Sequence, residues 1–351
     1  MAENLQNIAE PLLIWFENNK SDLPWRKDKL PYSIWLSEIM LQQTRIEAVK
    51  RYYTRFIIEL PDIKSLSEVS DEKLLKLWEG LGYYNRARNL KKAAQTVMQQ
   101  YHGIFPSTYE EILKLSGIGE YTAGAIASIC FNEKVTAVDG NVLRVVARLC
   151  GSRENVLLPE VRKETQRKLK KILPEQSGKF NEALMELGEK ICIAKGKPFC
   201  EKCPVAEYCT AFRQNLTAEI PVRIKPIKRK KEEKTVLLLV DSQSHIAIEK
   251  RPPNGLLSGL YQFPNMDGFH SIENLQDKLR AQDIVFTKIR FHKRAKHIFT
   301  HIEWQMKSYV VEVTEQSNNF LWVSRAELSE KYPLPTAFRQ FLDDTVTKQR
   351  L

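Results

Sequence analysis

Two domains of different class are what this sequence predicts, an all-α domain followed by a smaller α+β domain, and three observations predict them. From Ile8 to about Ala206 apolar residues recur at intervals of three and four, the period of helices with one buried face. After Thr210 the composition shifts to IPVRIKPIKRKKEEK, a proline-bearing, lysine-rich stretch with little to bury, which reads as a solvated linker able to touch a polyanion. Beyond it, Thr235 to Val240, Ile246 to Ile248 and Lys307 to Val313 are short β-rich runs, and Glu273 to Gln282 reads as a helix. The 351 residues, 43% of them hydrophobic, can fill two cores. The expected boundaries are 1–215 for the helical domain, 216–234 for the linker and 235–351 for the second domain.

Within the helical domain Pro24, Pro31, Pro61, Gly80, Gly103, Pro106, Pro159 and Pro174 cut the pattern into segments of ordinary helix length. The segment after Pro31 places Glu38 on a face with Ile34, Trp35 and Leu41. Burial among them would raise the carboxyl's pKa and keep a proton available near neutrality, as a general acid requires; the alternative is a glutamate on a solvated face. Next comes Leu81-Gly-Tyr-Tyr-Asn-Arg86-Ala-Arg88. Aromatic pairs beside arginines suit a place where bases are unstacked and phosphates held, and equally suit core tyrosine.

Gly117 and Gly119 flank one apolar residue, a pattern for a tight turn with positive φ and exposed amides. Thr122 to Ser128 continues as a helix of small residues whose free N–H groups would face an anion such as a nucleic-acid phosphate. Asp139, between Val138 and Gly140, is expected to cap a helix beginning near Asn141, an environment that favours the ionised carboxylate. One carboxyl kept protonated and one kept anionic is the pairing that glycosidic cleavage uses.

Four of the six cysteines crowd into Cys192, Cys200, Cys203 and Cys209, spaced C-x7-C-x2-C-x5-C. Such a cluster is no disulfide scaffold in a chain this long and points to a metal, either structural zinc or an iron–sulfur cluster. Cys130 and Cys150 sit in apolar helical settings and read as core.

These segments together resemble the adenine DNA glycosylases, the MutY family within the helix-hairpin-helix base-excision superfamily. The match runs through Ser-Glu38-Ile-Met-Leu-Gln-Gln43-Thr, Gly-Leu-Gly-Tyr83-Tyr, Leu-Ser-Gly117-Ile-Gly119-Glu-Tyr121-Thr-Ala and Val-Asp139-Gly-Asn141, and covers nearly the whole chain. Ser116 stands where proline is usual. The resemblance implies that Glu38 protonates the departing adenine, Asp139 faces the sugar cation, and Asn141 orients Asp139 or the water. It further implies that Tyr83 wedges into the duplex with Gln43 in the stack and Arg86 beside them, and that Trp25, Arg26 and Glu182 line the adenine pocket. Gly117 and Gly119 would grip DNA.

The family holds a [4Fe-4S] cluster through C-x6-C-x2-C-x5-C, so one residue is extra here, absorbed by the loop Lys195-Gly-Lys-Pro198. In the second domain, Lys250 to Pro264 resembles the start of a Nudix fold without the paired glutamates of a hydrolase, and Phe299-Thr300-His301 matches the family's Phe-Ser-His loop, which implies recognition of 8-oxoguanine. The expected fold is therefore an all-α helix-hairpin-helix glycosylase domain with an iron–sulfur cluster loop, then an α+β Nudix-like domain.

The expected activity is monofunctional excision of adenine mispaired with 8-oxoguanine or guanine in double-stranded DNA. Two rivals stand beside it. An endonuclease III-like glycosylase/lyase has its Schiff-base lysine at the position of Tyr121, which therefore counts among the catalytic positions; a phenol forms no imine. A catalytically silent lesion-binding module would have no use for Glu38 and Asp139. The net charge of +11 and pI near 9.2 fit a nucleic-acid partner. No run of apolar residues approaches a membrane span, and the start MAENLQNIAEPLL has neither a signal's basic end nor a transit peptide's arginines, so a cytoplasmic, nucleoid-associated monomer of bacterial type is expected.

Overall fold

In this computed structural model, which describes residues 3–224 and 229–342, the chain forms two compact units. One comprises Met1–Val69 and Asn85–Lys225; the other comprises Ser70–Tyr84 and Pro226–Leu351. The second unit thus takes in a helix and turn that the periodicity alone groups with the helical domain.

The first unit is helical, as its periodicity predicts. The helix Pro31–Leu41 starts with proline at its first turn, where the missing N–H costs nothing, and is apolar on every side, so Tyr32 to Met40 are all buried. The helix Glu120–Phe131 packs closely on its neighbours because it is built of small residues. A Cβ on Gly124 would lie 2.2 Å from the Thr136 carbonyl oxygen, and one on Gly178, in the helix Ser177–Lys190, would lie 2.3 Å from that of Ser128. Asn181 of the latter helix is fully buried; its amide donates to Ser128 Oγ and to the Val135 carbonyl, both at 2.9 Å, and accepts from the Ala137 N–H at 3.2 Å. The extended segment before Asp139 is thereby fixed. The helix Gly140–Cys150 follows and ends at Gly151, whose φ of +65° completes a left-handed cap. Its apolar face joins Phe180, Leu184 and Leu12 in one core, against which Cys192 and Cys203 pack. Cys150 is buried there, and Cys130 is half-buried with its thiol pushed up to about 12 by burial.

The second unit is a seven-stranded mixed sheet with short helices. Its strands are β1 Lys230–Val240, β2 Ile246–Lys250, β3 Tyr261–Gln262, β4 Asn265–Asp267, β5 Phe286–Ile298, β6 Ile302–Val313 and β7 Leu321–Val323. The order is β3-β2-β1-β6-β5, with β4 on β1 and β7 on β2. β1 and β6 run parallel from Lys230↔Ile302 to Val240↔Glu312, and β5 and β6 form an antiparallel hairpin. Separate apolar clusters cover the two faces, around Phe263, Trp304 and Phe338 on one and around Leu275, Leu279 and Tyr309 on the other.

Two expectations change. β1 begins at Lys230, inside the stretch read as linker, because the backbone of Lys230 to Lys234 pairs with β6 while its charged side chains stay at the surface. Of the rest of that linker, residues 225–228 lie outside the described residues, as do 343–351 of the second domain. The helix read from Glu273 to Gln282 runs Ile272–Arg280, capped by Ser271. No helix among the described residues is long and apolar enough to cross a membrane.

Candidate active site

The first unit contains a cleft of about 890 Å³ whose wall includes Glu38, Tyr121, Asp139 and Asn141, together with Trp25, Arg26, Gln43 and Glu182. Residues up to 157 positions apart in sequence, from Trp25 to Glu182, therefore meet in one concavity large enough for a nucleoside.

Glu38 is 7% exposed on its buried helix. Burial pushes its carboxyl up to about 7; Tyr121 opposes this by hydrogen bonding, while Asp139 and Glu182 add to it by like-charge repulsion. The Tyr121 hydroxyl donates to Glu38 Oε2 at 2.6 Å and lies 3.2 Å from Met185 Sδ. With Oε2 occupied by that donor, the proton of the neutral acid belongs on Oε1. Burial and the adjacent carboxylates hold the Tyr121 phenol well above the usual tyrosine range, so it stays a donor.

Asp139 caps the helix Gly140–Cys150 as expected, accepting the Val142 N–H at 2.7 Å. Asn141 donates to its other oxygen at 2.9 Å. The sequence reading has the two carboxyls driven in opposite directions. Instead both are raised, because burial of Asp139 outweighs the hydrogen bonds from Val142 and Asn141 and the charge of Arg144, which all favour the anion. Glu38 has no such backbone donors, so of the two it is the better placed to keep a proton.

Asn141 is itself fixed. Arg144, 4% exposed, donates to Asn141 Oδ1 at 2.9 Å, to the Gly188 carbonyl at 2.8 Å and to the Cys192 carbonyl at 2.7 Å. The sequence alone does not single out Arg144 or Asn181. The one available signal for Arg144 is its place three residues after Asn141 on the same helical face; Asn181 acts across the fold and leaves no local trace.

Trp25 is buried, edge-on to Tyr53 at 5.3 Å. Arg26 bridges Glu182 at 2.9 Å and Glu186 at 2.8 Å, two carboxylates one helical turn apart, so its charge is matched within the protein. Gln43 is exposed with φ +60°, a left-handed backbone that turns its side chain out of the helix end. In the other unit Tyr83, 48% exposed, has φ +47° between Gly82 and Tyr84, and Phe299, Thr300 and His301 form the turn of the β5–β6 hairpin, closed by Phe299 N–H on Ile302 O at 2.8 Å.

Two assignments need correction. Arg86 is turned into the protein rather than toward solvent. It is 9% exposed and donates to the carbonyls of Ile39, Met40 and Gln42 at 2.9, 2.9 and 2.6 Å, satisfying the C-terminal end of the Glu38 helix. Of the hairpin glycines only Gly117 has positive φ, at +77°, and a Cβ there would meet Asn89 Cβ at 2.6 Å. Gly119 is extended at φ −102° and caps the helix Glu120–Phe131, with nothing within 4 Å of where its Cβ would be. Its contribution is open space above exposed amides.

The four clustered cysteines line one cavity of the first unit, beside the core and Arg148. Arg148 Nη1 donates to Cys192 Sγ at 3.2 Å. Burial pushes the thiols of Cys200, Cys203 and Cys209 up, Cys203 to about 12, so a bound cation would be needed to hold them as thiolates. Among the described residues no three His, Cys, Asp or Glu side chains already stand together as a metal-ion group. In the loop Lys195 to Pro198, expected to absorb the extra residue of the first spacing, Lys195 to Lys197 are exposed and Gly196 has φ +79° with open space around it.

Residues 36–175 match the family model of the HhH-GPD superfamily base excision DNA repair proteins, and residues 235–344 match that of the NUDIX domain. The chain is 36% identical to the adenine DNA glycosylase of Arabidopsis thaliana over 87% of its own length and 56% of the plant protein's. It is 36% identical to the adenine DNA glycosylase of Buchnera aphidicola subsp. Baizongia pistaciae over 84% of its own length and 82% of the other's. Among solved structures, a thermostable thymine-DNA glycosylase superposes with a TM-score of 0.55 and 29% identity, covering 60% of this chain and 98% of that one.

Proposed function

Since the chain belongs to the adenine DNA glycosylases and is an N-glycosylase of base excision repair acting on DNA, we propose that the adenine it removes is the one mispaired with 8-oxoguanine and, less readily, with guanine, by hydrolysis without strand cleavage. The observation that carries the chemistry is the Tyr121–Glu38 hydrogen bond in the cleft that also holds Asp139. Extruding the adenine costs a few kcal/mol and brings it into the cleft. Glu38 gives its proton to N7; the bond from C1′ to N9 breaks; neutral adenine departs. The Asp139 carboxylate faces the resulting oxocarbenium ion until water adds at C1′ and gives up its proton to a carboxylate. Asn141, aimed by Arg144, keeps one Asp139 oxygen in place.

Position 121 supports the monofunctional reading, because a phenol that stays protonated makes no imine with the abasic sugar. The exposed turn Phe299 to His301 supports mispair choice: 8-oxoguanine differs from guanine by a carbonyl at C8 and a proton on N7, and Thr300 and His301 supply hydrogen-bonding groups for that edge. One good base contact discriminates by about 1–3 kcal/mol. In single-turnover incubations with duplexes holding adenine opposite 8-oxoguanine, guanine or thymine, we expect release in that order, with strand breaks only after added alkali and no borohydride-trapped adduct. Stoichiometric trapping on the timescale of release would restore the lyase reading, and equal rates on all three duplexes would remove the mispair reading.

The same reading gives the protein a [4Fe-4S] cluster held by Cys192, Cys200, Cys203 and Cys209, and a monomeric state. The four-thiol donor set and the Arg148 guanidinium against a sulfur suit an anionic cluster. Such a cluster, when bound, cross-links the loop that carries its ligands. Protein purified without oxygen should be brown, with iron and sulfide each at about four per chain; colourless protein with one zinc would assign the site to zinc.

A further inference from the structure

The second unit contains a piece of chain from far upstream. Ser70 caps the short helix Asp71–Leu77, and the turn after it carries Tyr83. At the base of that turn, the Glu79 side chain is only 8% exposed. Its Oε1 accepts the Leu334 N–H at 2.8 Å and meets the Arg339 guanidinium, while Oε2 pairs with Lys76 Nζ at 2.8 Å. Lys76 in turn reaches the carbonyls of Leu328 at 3.5 Å and Tyr332 at 3.4 Å. An acid and a base three residues apart are thus both aimed at one stretch, Leu328 to Arg339. Farther out, Lys250 pairs with Glu72 at 2.9 Å.

The turn itself is held from within. Trp78 Nε1 donates to the Gly82 carbonyl at 3.1 Å, and Gly80 and Gly82 take φ of +100° and +72°. At its tip Tyr83 Oη lies 3.2 Å from Thr300 Oγ1. Tyr83 is therefore fixed at two points of the same unit, by the β5–β6 turn at its hydroxyl and by the Glu79 contacts at its base.

We infer that Glu79, with Lys76, is a positioning residue for discrimination of the base opposite the excised adenine: it holds the Tyr83 turn in register with Thr300, so that the wedge and the reading turn engage that base as one piece. The inference rests on Phe299 to His301 being the reader. An exposed ion pair would carry little, but this carboxylate is buried and one of its partners is a backbone N–H. Removing it leaves the Leu334 N–H without its acceptor and frees the base of the turn. Displacement by an ångström at a site that depends on alignment costs up to about a hundredfold in rate. Only the mispair that uses the aligned contact should feel that loss.

The test compares single-turnover release on A:8-oxoguanine and A:G duplexes by the full-length protein, Glu79→Ala, Glu79→Gln and Thr300→Val, with melting temperatures measured alongside. Glu79→Ala should lower the ratio of the two rates roughly tenfold, through the 8-oxoguanine rate alone. Glu79→Gln, which keeps an acceptor for the Leu334 N–H, should restore most of it. A wild-type ratio in Glu79→Ala, or a parallel fall of both rates with a lower melting temperature, overturns the inference. If Thr300→Val lowers the ratio and Glu79→Ala does not, the turn reads the base and the coupling fails. If Thr300→Val keeps the wild-type ratio, the reading turn itself is wrong and the inference goes with it.

Discussion

Glu38→Gln is expected to slow adenine release by about a thousandfold and leave mispair binding within about twofold of wild type. The glutamine fits the buried site and still accepts from Tyr121, so what is removed is the proton. The pH profile gives the sharper check. In the proposed mechanism Glu38 acts in its protonated form, and its carboxyl is raised to about 7. Full activity is therefore present below that pH and is lost as pH rises through it, by tenfold per unit in kcat/KM, which reports the free enzyme. In the same mechanism Asp139 acts as the anion, and because its carboxyl is raised too, activity should fall on the acid side at a higher pH than for a free aspartate. The residual activity of Glu38→Gln should lack the alkaline limb. If that limb survives the substitution, another group supplies the proton.

Gly124→Ala should be nearly as damaging without touching the chemistry. The new methyl would sit 2.2 Å from the Thr136 carbonyl oxygen and 3.1 Å from its carbon. Backbone cannot swing aside as a side chain can, and this backbone is tied to Asn181 through Val135 and Ala137. Overpacking of this kind costs about 1–3 kcal/mol, which lowers the melting temperature by roughly 2–12 °C for a unit of this size. Excision should fall as well, since Asp139 lies three residues beyond the displaced carbonyl. Gly119→Ala is the control: its Cβ meets nothing and its φ is ordinary, so stability should be kept while affinity for duplex DNA drops. Equal melting temperatures for Gly124→Ala and wild type would show that the helices part without cost.

The contrast between these glycines shows what a sequence reveals. The Gly-x-Gly pattern is legible as a turn, but that Gly117 needs both its backbone freedom and its missing side chain, and Gly119 neither, depends on the folded backbone and on Asn89, a residue 28 positions upstream of Gly117. Glu38 was legible because helix periodicity puts Ile34, Trp35 and Leu41 beside it. Asp139 was legible as a cap because capping is local. Its charge state was not, since burial is set by elements elsewhere in the chain. Arg86 was misread for the same reason: an arginine beside two tyrosines has the composition of a nucleic-acid contact, whereas its partners, three carbonyls at the end of the Glu38 helix, are over 40 residues away. The charged start of β1 was hidden because a strand edge can be paired through its backbone alone.

The upstream segment held by Glu79 also matters to the order in which the molecule is made. Glu79 and its partner Leu334 are 255 residues apart. At about 5–20 residues per second, a ribosome needs roughly 13–50 s to deliver the second after the first. For most of that interval the helix Asp71–Leu77 has left the tunnel while the stretch it packs on has not been translated. The chain on either side of it, Met1–Val69 and Asn85–Lys225, can meanwhile assemble, leaving 70–84 as a loop awaiting its partner. Maturation of the nascent chain is then gated by synthesis of Leu328 to Arg339, and a chain cut short before that stretch strands the segment 70–84 without its partner.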